Sequence, residues 1–235
     1  MSAFIRDFLV PRKGNPETKH LQQENNLEFF HEQVENSKHI ALIKYIFLGF
    51  CLLMWIGGIV LINAKVIDVA DVSISEGNLT FSGMILANFM HFNWLHIFMN
   101  MTAMIFLFNR FFFANYKILL TVIALSAIGS TVLSIEMMPK DGVLIGASGI
   151  LYGVLTFYFL YLNDLRITYK NTEGEAKLRR FLLIQVILCG IINFMPMIGW
   201  YAHLGGAIMG FIVYFVVRKN LDFSDKCLAL TYHKI

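Results

Sequence analysis

The chain has 235 residues, 57% of them hydrophobic and 15% charged, with a mean hydropathy of +0.62; soluble domains carry about a quarter charged residues, so a soluble globular protein is excluded. At ~20 apolar residues per helical crossing, this length holds six or seven spans in one membrane-embedded domain. The formal net charge of +3 and sequence pI of about 8.7 do not suggest nucleic acid as a partner, because in such a chain the positions of the basic residues carry the information, not their sum.

Residues 1–40 are the soluble stretch. Pro11 and Pro16 separate a short apolar-rich start (Phe4, Ile5, Phe8, Leu9) from a polar run over 17–38. The segment fits either a helix lying on the membrane surface or a loosely ordered tail. The first apolar run begins near Ile40, too far in for a secretory signal with its basic start and core of about 7–15 residues, so the amino terminus is expected to be retained. Beyond it, Asp, Glu, Lys and Arg are absent from the blocks 45–64, 77–109, 118–135, 142–163 and 181–217. Each is long enough to cross. The last block has 37 residues, which as one helix would run ~55 Å against ~30 Å of hydrocarbon, so it must turn. Pro196 and Gly199 mark that turn, and Trp200 and Tyr201 suit the interfacial belt. Six spans are predicted, at 42–63, 88–108, 118–135, 147–162, 181–195 and 201–217. The domain reading is a cytoplasmic segment 1–40, a six-span domain 41–218 and a cytoplasmic tail 219–235. Cys51, Cys189 and Cys227 have no metal-site spacing and two lie inside apolar runs, so neither a disulfide framework nor a zinc site is expected.

The basic residues give the orientation. Six lie in the amino-terminal segment and the amino-terminal end of the first span (Arg6, Arg12, Lys13, Lys19, Lys38, Lys44), two in the second loop (Arg110, Lys117), five in the fourth (Arg166, Lys170, Lys177, Arg179, Arg180) and four in the tail (Arg218, Lys219, Lys226, Lys234). The first, third and fifth loops hold only Lys65 and Lys140. Seventeen against two predicts both termini in the cytoplasm.

Polar side chains at membrane depth are costly and mark functional sites by default. Three clusters qualify: His91, Asn93, His96 and Asn100 in the second span; Gly146, Ser148, Gly149, Tyr152 and Gly153 at the head of the fourth; and His203, Gly205, Gly206 and Gly210 at the head of the sixth. These three spans all enter from the non-cytoplasmic side, so their clusters share a depth and can form one site open to water from outside. His96 and Asn100 share a helix face, as do Ser148 and Tyr152. The stripe His203, Gly206, Ala207, Gly210 and the pair Gly149 and Gly153 let helix backbones approach, which brings Ser148 near His203. A serine hydroxyl becomes a competent nucleophile when a base within ~2.6–3.2 Å takes its proton.

Blander readings stand beside this one. A lone serine in a membrane helix commonly bonds back to its own turn, a lone buried histidine is commonly a packing residue, and small residues at four-residue spacing are frequent in helix packing. A metal site on His91, His96 and His203 lacks any acidic or cysteine ligand within the spans. The zinc-protease pattern fails at His31-Glu32, where Glu35 stands in place of the second histidine. No span contains a carboxylate, which speaks against an aspartyl protease and makes a serine–histidine pair a dyad and not a triad.

The residues resemble the rhomboid family of intramembrane serine proteases. The match is to its His-x-x-x-x-His-x-x-x-Asn motif (His91, His96, Asn100), its Gly-x-Ser-Gly motif (Gly146, Ser148, Gly149) with a tyrosine four residues on (Tyr152), and its Ala-His-x-x-Gly-x-x-x-Gly motif (Ala202, His203, Gly206, Gly210). The resemblance covers roughly residues 40–218. It implies an all-α six-helix bundle in which Ser148 is the nucleophile, His203 the general base and Tyr152 packs on the histidine ring. It further implies that His96, Asn100 and the Ser148 backbone N–H hold the oxyanion, and that His91 supports the first loop. At 100° per residue His91 would lie ~140° around the helix from His96. Family members cleave transmembrane segments of other membrane proteins near their outer end and need no metal or cofactor; the implied partners are single-pass membrane proteins and the lipid bilayer. The six-span form is that of bacteria, so the inner membrane is the expected location.

One departure is the Trp-Arg pair that many members carry in the first loop, eight or nine residues before the first motif histidine; Ser82 and Gly83 occupy those places here. The first loop must therefore be held by other contacts or be looser. The competing class is a noncatalytic membrane protein that binds transmembrane clients on the same scaffold, and retention of both Ser148 and His203 discriminates against it. A transporter is the third class, and the lack of a charged relay within the spans speaks against it.

Overall fold

The computed structural model describes residues 16–75, 79–110, 115–140, 142–169 and 199–218, together with 180, 183, 184, 187, 190 and 191; for 16–33, 109, 110 and 162–169 it describes the backbone alone. The expected fifth span at 181–195, with its Pro196 turn, lies largely outside the described residues, as do residues 1–15 and the tail from 219 on. The fold is mostly helical.

Helix α1 (Pro16–Asn63) is a single element of 48 residues, ~72 Å long at ~1.5 Å per residue. Its apolar part, Val34–Asn63, is long enough to cross a membrane. The helix passes through residue 40 unbroken, so the boundary read there is one of polarity and not of backbone. It ends where Lys65 takes φ 56°. The Val66 N–H then donates to the Leu61 carbonyl and the Lys65 N–H to that of Ile62, both at 3.0 Å, the paired bonds of a Schellman cap.

A 3-10 turn (Val69–Val72) and strand β1 (Ile74–Ser75) begin the first loop, and the short helix α2 (Phe81–Leu86) completes it. The Thr80 hydroxyl caps α2 by accepting from the Gly83 N–H at 3.0 Å. Gly83 is one of the two residues at the places where the resemblance would lead one to look for a Trp-Arg pair. A Cβ here would come within 2.7 Å of the Ser73 carbonyl oxygen, so backbone packs directly on backbone and a bulky side chain has no place.

Helix α3 (Trp94–Arg110) begins six residues later than the predicted second span. The reason is local: residues 87–89 continue as a turn after α2, and Asn93 accepts from the His96 N–H at 2.9 Å, which caps α3 at Trp94. His91 therefore precedes the helix, and its angular position around that helix has no meaning. Helix α4 (Tyr116–Met137) is capped by Asn115, which accepts from the Lys117 N–H at 2.8 Å. Its first residue is tied to α1, since the Tyr116 N–H donates to Asn36 at 2.7 Å and the Tyr116 ring stacks on His39. Strand β2 (Val143–Leu144) pairs antiparallel with β1 in the register Ile74 to Leu144 and Ser75 to Val143. This two-residue ladder departs from the all-α expectation. Helices α5 (Ser148–Tyr169) and α6 (Trp200–Val217) follow.

Helices α4, α5 and α6 pack most extensively on one another. Contact is closest through glycine. A Cβ on Gly205 would collide with the Gly129 carbonyl of α4, one on Gly206 with that of Gly149 and one on Gly210 with that of Gly153. Around this triple contact lies the main core, with Phe47, Met104, Phe108, Ile150, Val154, Tyr158 and Tyr214. A smaller core beneath the first loop joins Val72, Ile74, Ala87, Met90 and Ile145. Among the described residues, Val34–Asn63 of α1, α4 and α6 are long and apolar enough to cross a membrane. Helices α3 and α5 offer less: sixteen residues precede Arg110 in the one and Asp164 in the other.

Candidate active site

Ser148 is the first residue of α5, reached through Gly146, whose φ of +136° only glycine adopts without strain. The missing side chain matters as much as the dihedral. A Cβ on Gly146 would stand 2.7 Å from Cε1 and 2.9 Å from Nε2 of His96, and 3.7 Å from the amide nitrogen of Asn100. The turn before the serine is thus pressed onto the two polar side chains of α3.

His203 lies in the first turn of α6 and is buried. Its Nε2 is 2.8 Å from Ser148 Oγ. With its proton on Nδ1, the ring accepts the serine hydroxyl, which is the arrangement a general base needs. Tyr152, one turn along α5 from Ser148, lies parallel to the imidazole, with ring centroids 4.1 Å apart and planes inclined by 7°. The glycine contacts make this approach geometrically available, since Gly206 and Gly210 let α6 slide its backbone against Gly149 and Gly153. No Asp or Glu is buried among the described residues, so no carboxylate there is placed to orient the imidazole.

The second half of the site is a chain of hydrogen bonds. The Asn100 amide nitrogen donates to His91 Nε2 at 2.9 Å, which requires the His91 proton on Nδ1; Nδ1 is 3.1 Å from the Phe89 carbonyl and donates to it. One amide hydrogen of Asn100 is thereby fixed and the other left to point elsewhere. His91 also meets His96 edge to face, with centroids 4.9 Å apart. Sequence reading assigns His91 to support of the first loop; the structure joins it to Asn100 and to the turn that closes that loop.

Ser148, His203, Tyr152, Gly146, His96, Asn100, His91, Gly206 and Gly210 are all drawn into this one locality. Sequence reading does not single out Asn88, Thr131 or the Phe89 carbonyl. Asn93 stands within the polar cluster read from the sequence, and its strong capping preference was a readable signal for the late start of α3.

Fold and site together define a helical integral membrane protein with a serine–histidine pair at the heads of two packed helices. Comparison with family profiles matches the Rhomboid domain over residues 78–220. The chain belongs to the rhomboid family, whose members are typically intramembrane serine proteases. A search of curated proteins returns no match.

Proposed function

We propose that this protein is an intramembrane serine endopeptidase that hydrolyses a peptide bond at or near the outer end of a transmembrane helix in a single-pass membrane protein. The observation that carries the reading is the 2.8 Å contact between Ser148 Oγ and His203 Nε2 inside a rhomboid domain. In the proposed reaction His203 takes the Ser148 proton as Oγ attacks the scissile carbonyl carbon. Negative charge gathers on the carbonyl oxygen, met by Asn100, His96 and the Ser148 N–H as neutral donors. His203 then protonates the departing amine; in the second half it takes a proton from water as that oxygen attacks the acyl carbon, and returns the proton to Ser148 Oγ as the acyl–serine bond breaks. Tyr152 holds the ring in place, a task that falls to a carboxylate in a triad.

The seventeen-to-two distribution of basic residues supports six spans with both termini in the cytoplasm, and hence a site facing the opposite side of a bacterial inner membrane. A client-binding protein on this scaffold would have no use for the serine–histidine contact.

A fluorophosphonate, which captures a serine only when a base activates it, should label the wild type. Both Ser148→Ala and His203→Ala should abolish labelling and cleavage of a single-span reporter, and the double variant should be no worse, because residues acting as a unit are non-additive. Cleavage that persists in Ser148→Ala would end the serine-protease reading.

A further inference from the structure

The first loop lacks the Trp-Arg pair of many relatives, yet a buried polar node fastens it from within. Both hydrogens of one side-chain amide are used: Asn88 Nδ2 lies 3.0 Å from the Met84 carbonyl and 3.0 Å from Thr131 Oγ1. The Thr131 hydroxyl in turn donates to the same Met84 carbonyl at 3.3 Å, so the triangle is closed. A carbonyl can only accept, which puts the amide nitrogen and not its oxygen at this corner. Asn88 is 5% and Thr131 8% exposed, and in an apolar surrounding such a bond has no water to replace it.

The neighbours of Asn88 give the node its significance. The Ala87 carbonyl, one residue before, accepts from the Gly146 N–H at 2.7 Å and so grips the turn leading to Ser148. The Phe89 carbonyl, one residue after, accepts from His91, which holds Asn100. The carbonyls of the residues on either side of Asn88 thus hold the two halves of the candidate site, and the Asn88 side chain between them is anchored to α4. That helix also receives α6, through the Gly129 and Gly205 contact. All the groups that must stay in register are referred to one point.

From this placement we infer that Asn88 is a positioning residue for the nucleophile and oxyanion donors, acting through Thr131 and Met84 to fix the turn 87–89. The inference rests on the proteolytic reading above. Its function is to keep Gly146 and His91 at fixed separation while a substrate segment is admitted; the side chain touches no reacting atom.

The test uses the full-length chain and the two constants of fluorophosphonate inactivation, kinact for the chemical step and KI for binding. Asn88→Ala and Thr131→Val should each lower kinact by roughly ten- to a hundredfold, the penalty of misplacing reacting groups by a fraction of their contact distance, with KI little changed. The double variant should fall well short of the product of the single effects, since each substitution opens the same triangle and the Asn88 to Thr131 bond is lost in both. Thr131→Ser keeps the oxygen and should retain the wild-type kinact. Thermal unfolding of each variant separates positioning from folding, because kinact is a rate per active molecule and a smaller folded fraction lowers only the amplitude. A wild-type kinact in Asn88→Ala, an additive double variant, or a change confined to amplitude or KI would overturn the inference and leave the protease reading intact. A wild type that the reagent never labels would overturn both.

Discussion

Gly146 joins two requirements that no other residue type meets together: a φ of +136° and a surface bare enough for His96 to lie against it. The consequence for the proposed chemistry is that the α3 side chains assigned to the oxyanion and the serine of α5 assigned as nucleophile are linked through a backbone turn rather than through paired side chains. Asn100 is then the residue whose loss is most diagnostic. Removing one preorganised donor lowers turnover by ~10²–10³-fold in comparable sites, so Asn100→Ala should cut cleavage by that factor while Ser148 is still labelled, more slowly. His91 would be left without its partner, which gives a competing account in which the variant simply loses stability. An Asn100→Ala protein that unfolds at the wild-type temperature and turns over slowly supports the donor role; wild-type turnover removes it. At this scale much was legible in the sequence, because serine, histidine and asparagine are conspicuous in charge-free blocks and their spacing puts them on common faces. The Asn88 to Thr131 bond was not. It joins residues 43 positions apart, and each alone is an ordinary polar residue.

The glycine contacts of α6 belong to the scale of the element. Gly206 meets the backbone of Gly149, so Gly206→Ala pushes two helix backbones apart, and overpacking of this kind costs about 1–3 kcal/mol. Since Gly149 follows Ser148 directly, the same displacement separates the serine from His203. We expect a lowered unfolding temperature together with slower fluorophosphonate labelling. Gly57 in α1 is the control, having nothing within 4 Å of a would-be Cβ. Gly57→Ala should leave labelling unchanged and, by restricting the unfolded chain, leave stability unchanged or slightly raised. Equal losses in the two variants would show that glycine matters here for flexibility and not for close approach. Hydropathy located the helices well where a span is simply a long apolar run, as in α4 and α6. It could not see the late start of α3 or the six-residue α2, because absence of charge says nothing about where a backbone turns. The β1 and β2 ladder, two residues per strand, is too short to carry an alternating pattern.

For the molecule as a whole, sidedness is the property on which the proposal depends. With Cys51, Cys189 and Cys227 replaced by alanine, a cysteine at Lys140 should react with an impermeant reagent added outside intact cells. One at Lys117 should react only after the inner face is opened. Both side chains are exposed at helix connections, so access and not burial decides the outcome. The reverse pattern would invert the protein and put its serine on the wrong side for the proposed substrates. The uneven apolar lengths of the helices have a mechanical corollary. Sixteen residues of α3 precede Arg110 and cover ~24 Å where the hydrocarbon spans ~30 Å, while α1 and α4 have length to spare. Helix α3 presents Trp94, Phe98 and Met99 outward, whereas no residue of α5 from 148 to 161 is exposed. Lipid fitted to the long helices would therefore have to thin beside α3, at a strain on the order of 1–3 kcal/mol for a fraction of a kcal/mol per ångström of mismatch. That strain would fall on the helix that carries His96 and Asn100, and the thickness of the surrounding bilayer is then expected to bear on the proposed site.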